Sequence, residues 1–448
     1  MRTIVNDQEG TMAGIDVLVV GSGGREYELA RQMARSKAVR KLYVAPGNAG
    51  TARLDKTENI PLSPDDVNGI ILSVSEHRIA AVIIGPDAAI AAGLGNALRA
   101  VGVPVFGPTQ EAGKLESSKA FAAGFMQRHD IPQPEYWTAH TEQEALNIIK
   151  DKAPETYVLK ADGLAAGKGV VLPQTADEAI TAVADMFSGQ GFGGAGKSGV
   201  VIQERLHGPE VSAFAVSDGK NIVMLPFSQD HKRLKNNDTG PITGGVGAYS
   251  PLPESIVAPG QAQKINDIAQ RSIQGMAEEH TPYQGVLYLG LMLAEERGGD
   301  PVIIEYNARF GDPETQVVLP VLNEAGVDVA DMLLRAARGD ISDISVPDHT
   351  GKAVLTVCLS AAGYPENPMK GDEIHGLDAV YEDVIVQQAG TKQDGDKIVT
   401  AGGRVLYITG VGDTIDEAAA KAYSAIGKDG IHFKGMQFRT DIGHQARK

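Results

Sequence analysis

The sequence predicts an α/β protein, α+β in parts. It has an open parallel α/β domain at the N-terminus, a mixed central region with a glycine-rich lid hairpin, and a small β-rich domain at the C-terminus. Three observations carry this. Short apolar runs near the N-terminus each end in a glycine-rich turn, and helical spacing follows the first of them. The centre alternates strands, glycine-rich hairpins and helices. The C-terminal part shows period-2 alternation at 352–358, 380–388 and 398–408, with one helix at 414–426. A chain of 448 residues is expected to form about three domains, on a prior of roughly 150 residues each. Their boundaries fall at 14–115, 116–336 (with the lid at about 130–205) and 337–448, after a disordered extension over 1–13.

Composition narrows the class. With 42% hydrophobic and 22% charged residues the chain reads as an ordinary globular protein with sizeable cores. Its 53 glycines cluster in short loops without a period, which favours close backbone approach to ligands over disorder. The 41 basic and 57 acidic residues give −16, which argues against general nucleic-acid binding but leaves room for a local basic pocket holding a small anion. The single cysteine, Cys358, excludes an intrachain disulfide and a thiolate cluster, and its apolar setting (V-L-T-V-C-L) reads as core. No apolar run reaches membrane-spanning length, and the first residues lack the apolar segment of a secretory signal, so a cytoplasmic enzyme is expected.

Residues 15–20 form a buried strand of parallel type ending in G-S-G-G-R-E at 21–26, and Leu29, Ala30 and Met33 mark the helix that follows. The turn is like a dinucleotide fingerprint but fails it twice. Glu26 stands where the third glycine belongs, and the second strand, 41–45, ends in P-G-N-A-G-T in place of the acidic residue that would hold a ribose. A strand, a glycine loop and a helix N-terminus still make an anion site, so a phosphate-bearing substrate fits better. The design recurs at 81–84, ending in G-P-D at 85–87, and at 103–106, ending in G-P-T at 107–109. All these loops fall at the carboxyl ends of strands, where open α/β sheets bind ligands, although any one alone is an ordinary turn.

Residues 119–129 read as a helix stopped by I-P-Q-P. A strand at 157–160 then leads into A-D-G-L-A-A-G-K-G and another strand at 170–172. This is not a P-loop. Three residues, not four, separate Gly163 from Gly167, Gly169 follows Lys168 where Ser or Thr belongs, and no helix comes next. It reads as a β-hairpin whose tip folds over nucleotide phosphates, with Lys160 and Lys168 supplying charge; a plain mobile hairpin is the alternative. A second glycine-rich stretch at 189–196 is another lid candidate. Strands at 200–206, 211–216 and 222–226 lead into 228–251, a long polar stretch without periodicity. Loops that long inside a compact domain are usually functional. Its cluster of His231, Lys232, Arg233 and Lys235 points to an anionic ligand, while a solvated turn is the simpler reading of the cluster alone.

A helix at about 261–279 precedes a strand at 285–293, to which 302–307 is expected to pair antiparallel through the short connection E-E-R-G-G-D-P. On the second of these strands Glu305, Asn307 and Arg309 fall two residues apart, on one face of an extended chain. A carboxylate and an amide oxygen are hard ligands of the kind Mg²⁺ takes while holding nucleotide phosphates. An arginine beside them suits a transferring phosphoryl group. A solvent-facing edge strand is the alternative, and the G-D-P-E that follows at once favours the phosphate–metal site. A helical region then runs to about residue 338, and the C-terminal sheet is expected to pack or close over the rest. No internal repeat is present.

Seven separated motifs stand out: G-G-R-E at 23–26, A-P-G-N-A-G-T at 45–51, L-E-S-S-K-A-F at 115–121, K-A-D-G-L-A-A-G-K-G at 160–169, S-Q-D-H-K-R at 228–233, D-T-G-P-I-T-G-G-V-G-A-Y-S-P at 238–251 and R-F-G-D-P-E-T-Q at 309–316. Together and in this order they resemble the phosphoribosylamine–glycine ligases (glycinamide ribonucleotide synthetases), ATP-grasp enzymes of purine biosynthesis. The resemblance runs from residue 15 to the end. It implies a central ATP-grasp fold and the conversion of ATP, 5-phosphoribosylamine and glycine to glycinamide ribonucleotide, ADP and phosphate. In that family the glycine carboxylate attacks the γ-phosphate, and the amine nitrogen then displaces phosphate from glycyl phosphate.

The resemblance also implies ATP and Mg²⁺ (or Mn²⁺), with Glu305 and Asn307 as metal ligands. Lys119 and Lys160 would hold nucleotide phosphates beneath the loop carrying Gly163, Gly167, Lys168 and Gly169. Glu204 and Leu206 would bracket the adenine, and Glu210 would hold the ribose. Arg309, Lys160 and Asp230 would be catalytic, with Arg309 steadying the acyl phosphate. Gly24, Asn48 and Asp87 would hold phosphoribosylamine, and Asp230, Lys232, Arg309, Gly311, Asp312 and Pro313 would complete the substrate contacts. Small molecules would be the only partners, with no nucleic acid or membrane, and the chain would be a monomer or at most a weak dimer. Such chemistry needs positioning, charge neutralisation and exclusion of water, not a nucleophilic side chain.

The chain departs from the family in having Tyr27 where His is usual and Asp87 where Glu is usual. The strand at 285–293 offers no carboxylate, with Glu295 and Glu296 only beyond its end, so phosphates and water would complete the metal shell. Two other functions compete. A carboxylase-type ATP-grasp purine enzyme would share strand, hairpin and lid, but 238–251 and R-F-G-D-P-E argue against it. A non-catalytic nucleotide-binding regulator using 21–26 would have no need of the Glu305 face.

Overall fold

The computed structural model describes residues 14–165, 169–189, 194–347 and 349–447. The extension at 1–13, Gly167 and Lys168 of the hairpin tip, and part of the second glycine stretch (190–193) lie outside the described residues. The N-terminal sheet is parallel, ordered Thr57–Asn59, Val39–Pro46, Ile15–Gly21, Ala81–Ile84, Val105–Phe106. Val17 and Val19 on one face and Leu18 and Val20 on the other are all fully buried, as a sheet covered on both sides requires. The first helix, Gly24–Arg35, starts directly after the first strand. The glycine loops therefore gather at one end of this sheet.

The lid region is a second sheet, Tyr136–Ala139, Val200–Glu204, Tyr157–Ala161 and Val170–Val171, antiparallel throughout. The expected hairpin is the last pair. Thr141 and Thr175 cap its two helices, Glu142–Ile149 and Ala176–Ser188, each accepting from a backbone N–H three residues on. A third sheet runs Ile222–Met224, Glu210–Asp218, Gln284–Ala294, Asp300–Asn307, and its last pair is the expected antiparallel hairpin.

Three expectations change. The 228–251 stretch is not a structureless loop: it carries Gln229–Asp230, Arg233–Lys235, Thr239–Ile242 and Gly247–Ser250, strands too short for a period to show. Gly247–Ser250 pairs with Ala353–Ser360, so the C-terminal sheet (Gln229–Asp230, Gly247–Ser250, Ala353–Ser360, Arg404–Gly412, Val384–Gln388) begins in the centre of the chain. The alternating run at 398–408 is two strands, Lys397–Thr400 and Arg404–Gly412, separated at Gly402–Gly403. The helical region after Gln316 is likewise two helices, Thr315–Glu324 and Val329–Arg338, because Asp328 caps the second through the Asp331 N–H. Cys358 lies fully buried in the C-terminal sheet, and burial pushes its thiol up to about 12.

Candidate active site

The site is built on the Asp300–Asn307 strand. Antiparallel pairing sets Glu305 opposite Gly290 and Asn307 opposite Tyr288. A side chain at Gly290 would bring its Cβ to 2.8 Å from Glu305 Cγ, so glycine there leaves the carboxylate its space. The strand ends at Asn307, and Arg309 lies beyond it, so the extended-face alternation covers only Glu305 and Asn307. The Arg309 guanidinium turns to Glu116, 2.9 Å from Oε1, and the second Glu116 oxygen accepts from the Ala308 N–H at 2.8 Å. Burial pushes Glu116 up against the pull of Arg309.

Four cations face Glu305. Lys160, on Tyr157–Ala161, donates from Nζ to the Ile304 carbonyl at 2.6 Å and so ties the lid sheet to the Glu305 strand. Burial, with Lys119 and Lys232 nearby, lowers its ammonium to about 8 in spite of Glu305. Lys119 opens the helix Lys119–Arg128. Its N–H donates to Asp162 at 2.7 Å and its Nζ to the Gly163 carbonyl at 2.7 Å. Lys232 Nζ is 3.7 Å from Glu305 and 3.4 Å from Glu210. Burial favours a protonated Glu305, but Lys232, Lys160, Arg309 and Lys119 outweigh it and hold the carboxyl below its usual range. A carboxylate kept ionised, with an amide oxygen two residues on, suits a hard divalent cation. Glu305 remains 39% exposed at the side chain, which leaves it open to a ligand.

Asp230 and Glu314 share the Lys232 side of this cleft. Burial raises both carboxyls, with Glu314 and Glu210 adding to the push on Asp230, while Lys232 opposes it. Glu314 accepts from Ser212 Oγ at 3.2 Å, and that hydroxyl also meets Tyr288 OH at 3.1 Å. Gly311 lies against Glu314: a Cβ on it would fall 2.3 Å from Oε2. Farther out, Glu204 accepts from Arg297 at 2.8 Å and from the Glu135 N–H at 3.2 Å. Leu206 is buried against Ala294 and Val302. Glu204, Leu206, Glu210, Lys160 and Lys119 thus surround the junction of the second and third sheets. Gly163 has φ +117°, a conformation open to glycine, and a Cβ at Gly169 would meet Ala165 at 2.7 Å.

A separate cavity of about 470 Å³ opens between the N-terminal and C-terminal sheets. Its walls include Ser22, Gly23, Thr243, Asp312, Tyr364 and Arg404. Arg404 NH2 holds Asp312 at 3.0 Å while NH1 bonds the Asp312 and Gly244 carbonyls, and the Gly244 N–H donates to Tyr364 OH at 3.2 Å. Burial raises Asp312, but Arg404 and Arg25 outweigh it and keep it below the usual carboxylate range. Gly24 closes the inner end, where a Cβ would come within 2.3 Å of Tyr407 and 2.6 Å of Gln316. Pro313 packs on Gly245, whose added Cβ would lie 2.5 Å from it.

The other predicted residues fall differently. Asn48 donates to the Ser22 and Gln388 carbonyls and accepts from the Gly50 and Thr51 N–H groups, so its whole amide is engaged in shaping the loop. Asp87 lies with Glu116 and Ala308 around a small recess on the Arg309 side, apart from the large cavity. Tyr27 is buried in the first helix. Of the basic cluster, only Lys232 faces Glu305; His231 points the other way and is buried, Arg233 bonds the Gly240 carbonyl, and Lys235 is exposed. Sequence reasoning passed over Glu116, Glu314, Tyr364 and Arg404 as site residues. The first two sit inside motifs already noticed, at 115–121 and 309–316, while nothing local marks Arg404.

Three family profiles match the chain in order: Phosphoribosylglycinamide synthetase, N domain, over residues 15–116; its ATP-grasp (A) domain over 117–315; and its C domain over 354–445. The phosphoribosylamine–glycine ligase of Yersinia pestis is 42% identical over 96% of this chain and 99% of its own. The bifunctional purine biosynthetic protein PUR2,5 of Pichia angusta is 41% identical over 98% of this chain, which spans 54% of that longer protein. The crystal structure of phosphoribosylamine–glycine ligase from Thermotoga maritima superposes with a TM-score of 0.82 at 35% identity, covering 96% of this chain and 100% of that one.

Proposed function

The chain belongs to the phosphoribosylglycinamide synthetase family, and from that premise we propose that it joins glycine to 5-phosphoribosylamine at the expense of ATP. ADP and phosphate are released, and the product is glycinamide ribonucleotide. The observation that carries the reading is the Glu305 face: one ionised carboxylate, an amide oxygen and four cations converging at the junction of lid and strand, with a separate polar cavity beyond Asp312.

In this reading Glu305 and Asn307 hold Mg²⁺ or Mn²⁺, which when bound neutralises phosphate charge. Lys119 and Lys160 bind the phosphates beneath the 163–169 hairpin, with Gly163, Gly167, Lys168 and Gly169 as its tip, Leu206 and Glu204 border the adenine, and Glu210 meets the ribose. Arg309, steadied by Glu116, orients the glycine carboxylate and then the acyl phosphate. The glycine oxygen attacks the γ-phosphorus and ADP leaves. The ribosylamine nitrogen next attacks the acyl carbon, phosphate leaves with its oxygen, and the nitrogen gives up a proton. Asp230 and Glu314, buried and pushed toward their protonated forms, are the groups placed to exchange that proton. The cavity beside Asp312 takes phosphoribosylamine, with Gly24 at its inner end, Gly311 and Pro313 shaping the turn, and Lys232 between it and the metal face. Asn48 acts by shaping the loop, and Asp87 by its charge beside Arg309 and Glu116.

The proposal extends to the domain division at 14–115, 116–336 and 337–448, to a monomeric or weakly dimeric state, and to a cytoplasmic setting. Among the described residues no helix is long and apolar enough to cross a membrane. The test is an ADP-release assay. Release that requires both glycine and phosphoribosylamine supports the reading; release driven by another acid, or by bicarbonate alone, overturns it.

A further inference from the structure

Asp230 and Lys232 point into the cleft, so His231 between them points out of it. What it meets is the end of the chain. Its Nε2 accepts from the Gly443 N–H at 2.9 Å, its backbone N–H donates to the Gly247 carbonyl at 2.8 Å, and its side chain is 1% exposed. A few residues on, the ribbon Arg233–Lys235/Thr239–Ile242 is fastened to the same terminal segment. Arg439, with no exposed surface, forks onto both Asp441 oxygens at 2.7 and 2.9 Å, and reaches Asp238 at 2.6 Å and the Arg233 carbonyl at 3.2 Å. Asn236 and Thr440 exchange two bonds of 2.7 and 3.0 Å, and the Asn237 N–H donates to Asp441 at 2.7 Å. Ile442, also fully buried, packs against Gly247, where an added Cβ would lie 2.4 Å away.

His231, Asp238 and His444 lie close enough together to suggest a bound metal ion, but the hydrogen bonding argues otherwise. Because His231 Nε2 is the acceptor of an N–H, the ring proton sits on Nδ1, the atom that would have to meet the ion. That N–H faces Asp238 Oδ1 at 3.6 Å, and Arg439 already occupies the same carboxylate oxygen. The cluster is a fastening.

We propose that the terminal segment 439–443 is a latch that sets the position of Asp230 and Lys232, with Arg439 as its principal positioning residue. The latch rests on the ligase reading for what Asp230 and Lys232 do. It grips the back of a two-residue strand whose front faces Glu305. Gln229–Asp230 has few ladder bonds of its own, being paired only with Gly247–Ser250. Its alignment therefore depends on the anchors beyond it. Arg439 supplies a planar fork that a lysine cannot reproduce across two carboxylates and a carbonyl.

The experiment compares wild type, Arg439→Ala, Arg439→Lys and Asp441→Asn, all full length. Each is measured for kcat, for KM toward glycine and phosphoribosylamine, for Kd toward a non-hydrolysable ATP analogue, and for Tm. A displacement near 1 Å predicts about a 100-fold loss in kcat/KM for glycine in Arg439→Ala and about tenfold in Arg439→Lys, with analogue Kd within about threefold of wild type. A purely structural role would instead lower Tm and scale kcat with the folded fraction, leaving KM unchanged, and that outcome overturns the latch. So does full activity in Arg439→Ala. If Arg439→Ala does not fold, Arg439→Lys and Asp441→Asn decide by the same criterion. Absence of phosphoribosylamine-dependent turnover in wild type is a separate result, and it refutes the ligase reading itself.

Discussion

Two residues concentrate the chemistry. Glu305 is ionised because four cations outweigh its burial, so removing its charge should leave those cations unopposed and the divalent ion without its carboxylate. Glu305→Gln is expected to lower kcat by on the order of 10²–10³-fold while the protein stays folded. A Mg²⁺ titration of ADP release reads the effect, and an unchanged Mg²⁺ requirement with full turnover would sink the assignment. Lys160 lies at about 8 because burial outweighs Glu305. Nucleotide phosphates beside it favour the charged form, so its proton affinity rises on binding. Nucleotide binding should then take up a proton above about pH 8, and affinity should fall as pH climbs through that value. Calorimetry at about pH 9 in buffers of differing ionisation enthalpy measures the uptake. Equal heats in all buffers, or the same uptake in Lys160→Met, would count against it.

At the level of elements, the site depends on how closely strands and turns approach. Gly208, between the lid sheet and Glu210–Asp218, has φ +139°, and an added Cβ would sit 2.0 Å from the Leu293 carbonyl oxygen. Backbone atoms cannot move aside as a flexible side chain can. Gly208→Ala is therefore expected to cost ~2–4 kcal/mol of stability, combining backbone strain with overpacking. Urea unfolding would show a lowered midpoint at constant m, and a midpoint equal to wild type would refute the argument. The same segment brings Leu206 against Ala294 and Val302, so nucleotide affinity should fall alongside stability. Alternation in the Glu305 strand could be read from residue order. That it stops at Asn307 could not, because Arg309 leaves the strand for Glu116, almost two hundred residues earlier in the chain.

Across the whole molecule, the three regions share their cores. Leu18 and Ile84 of the first sheet lie in one apolar cluster with Leu287 and Ile303 of the third, while Val17, Phe214, Val317 and Val354 occupy another. The C-terminal sheet likewise starts at Gln229–Asp230 and Gly247–Ser250. The expectation that the C-terminal part only packs or closes was too narrow, since Arg404 reaches across the cavity to Asp312 and Gly244. Losing a charge-assisted bond of this kind is worth about 1.5–3 kcal/mol. Arg404→Ala should accordingly raise KM for phosphoribosylamine by roughly 10- to 100-fold and leave KM for ATP within about twofold. Steady-state kinetics with each substrate varied separately would check this, and equal rises for both substrates would point to general unfolding instead.

Residue order alone determined the strand–glycine loop–helix units, the lid hairpin, the antiparallel pair carrying Glu305 and Asn307, and the family, because each is local: a period, a turn or a motif within a few residues. Tertiary structure decided which side of the cleft each charge occupies. It turned Arg309 toward Glu116, committed the whole Asn48 amide to its own loop, divided 228–251 into strands too short to carry a period, and set Arg404 and Arg439 against residues about 90 to 200 positions away. Those outcomes depend on pairing and desolvation between segments that meet only on folding, and no local pattern encodes them.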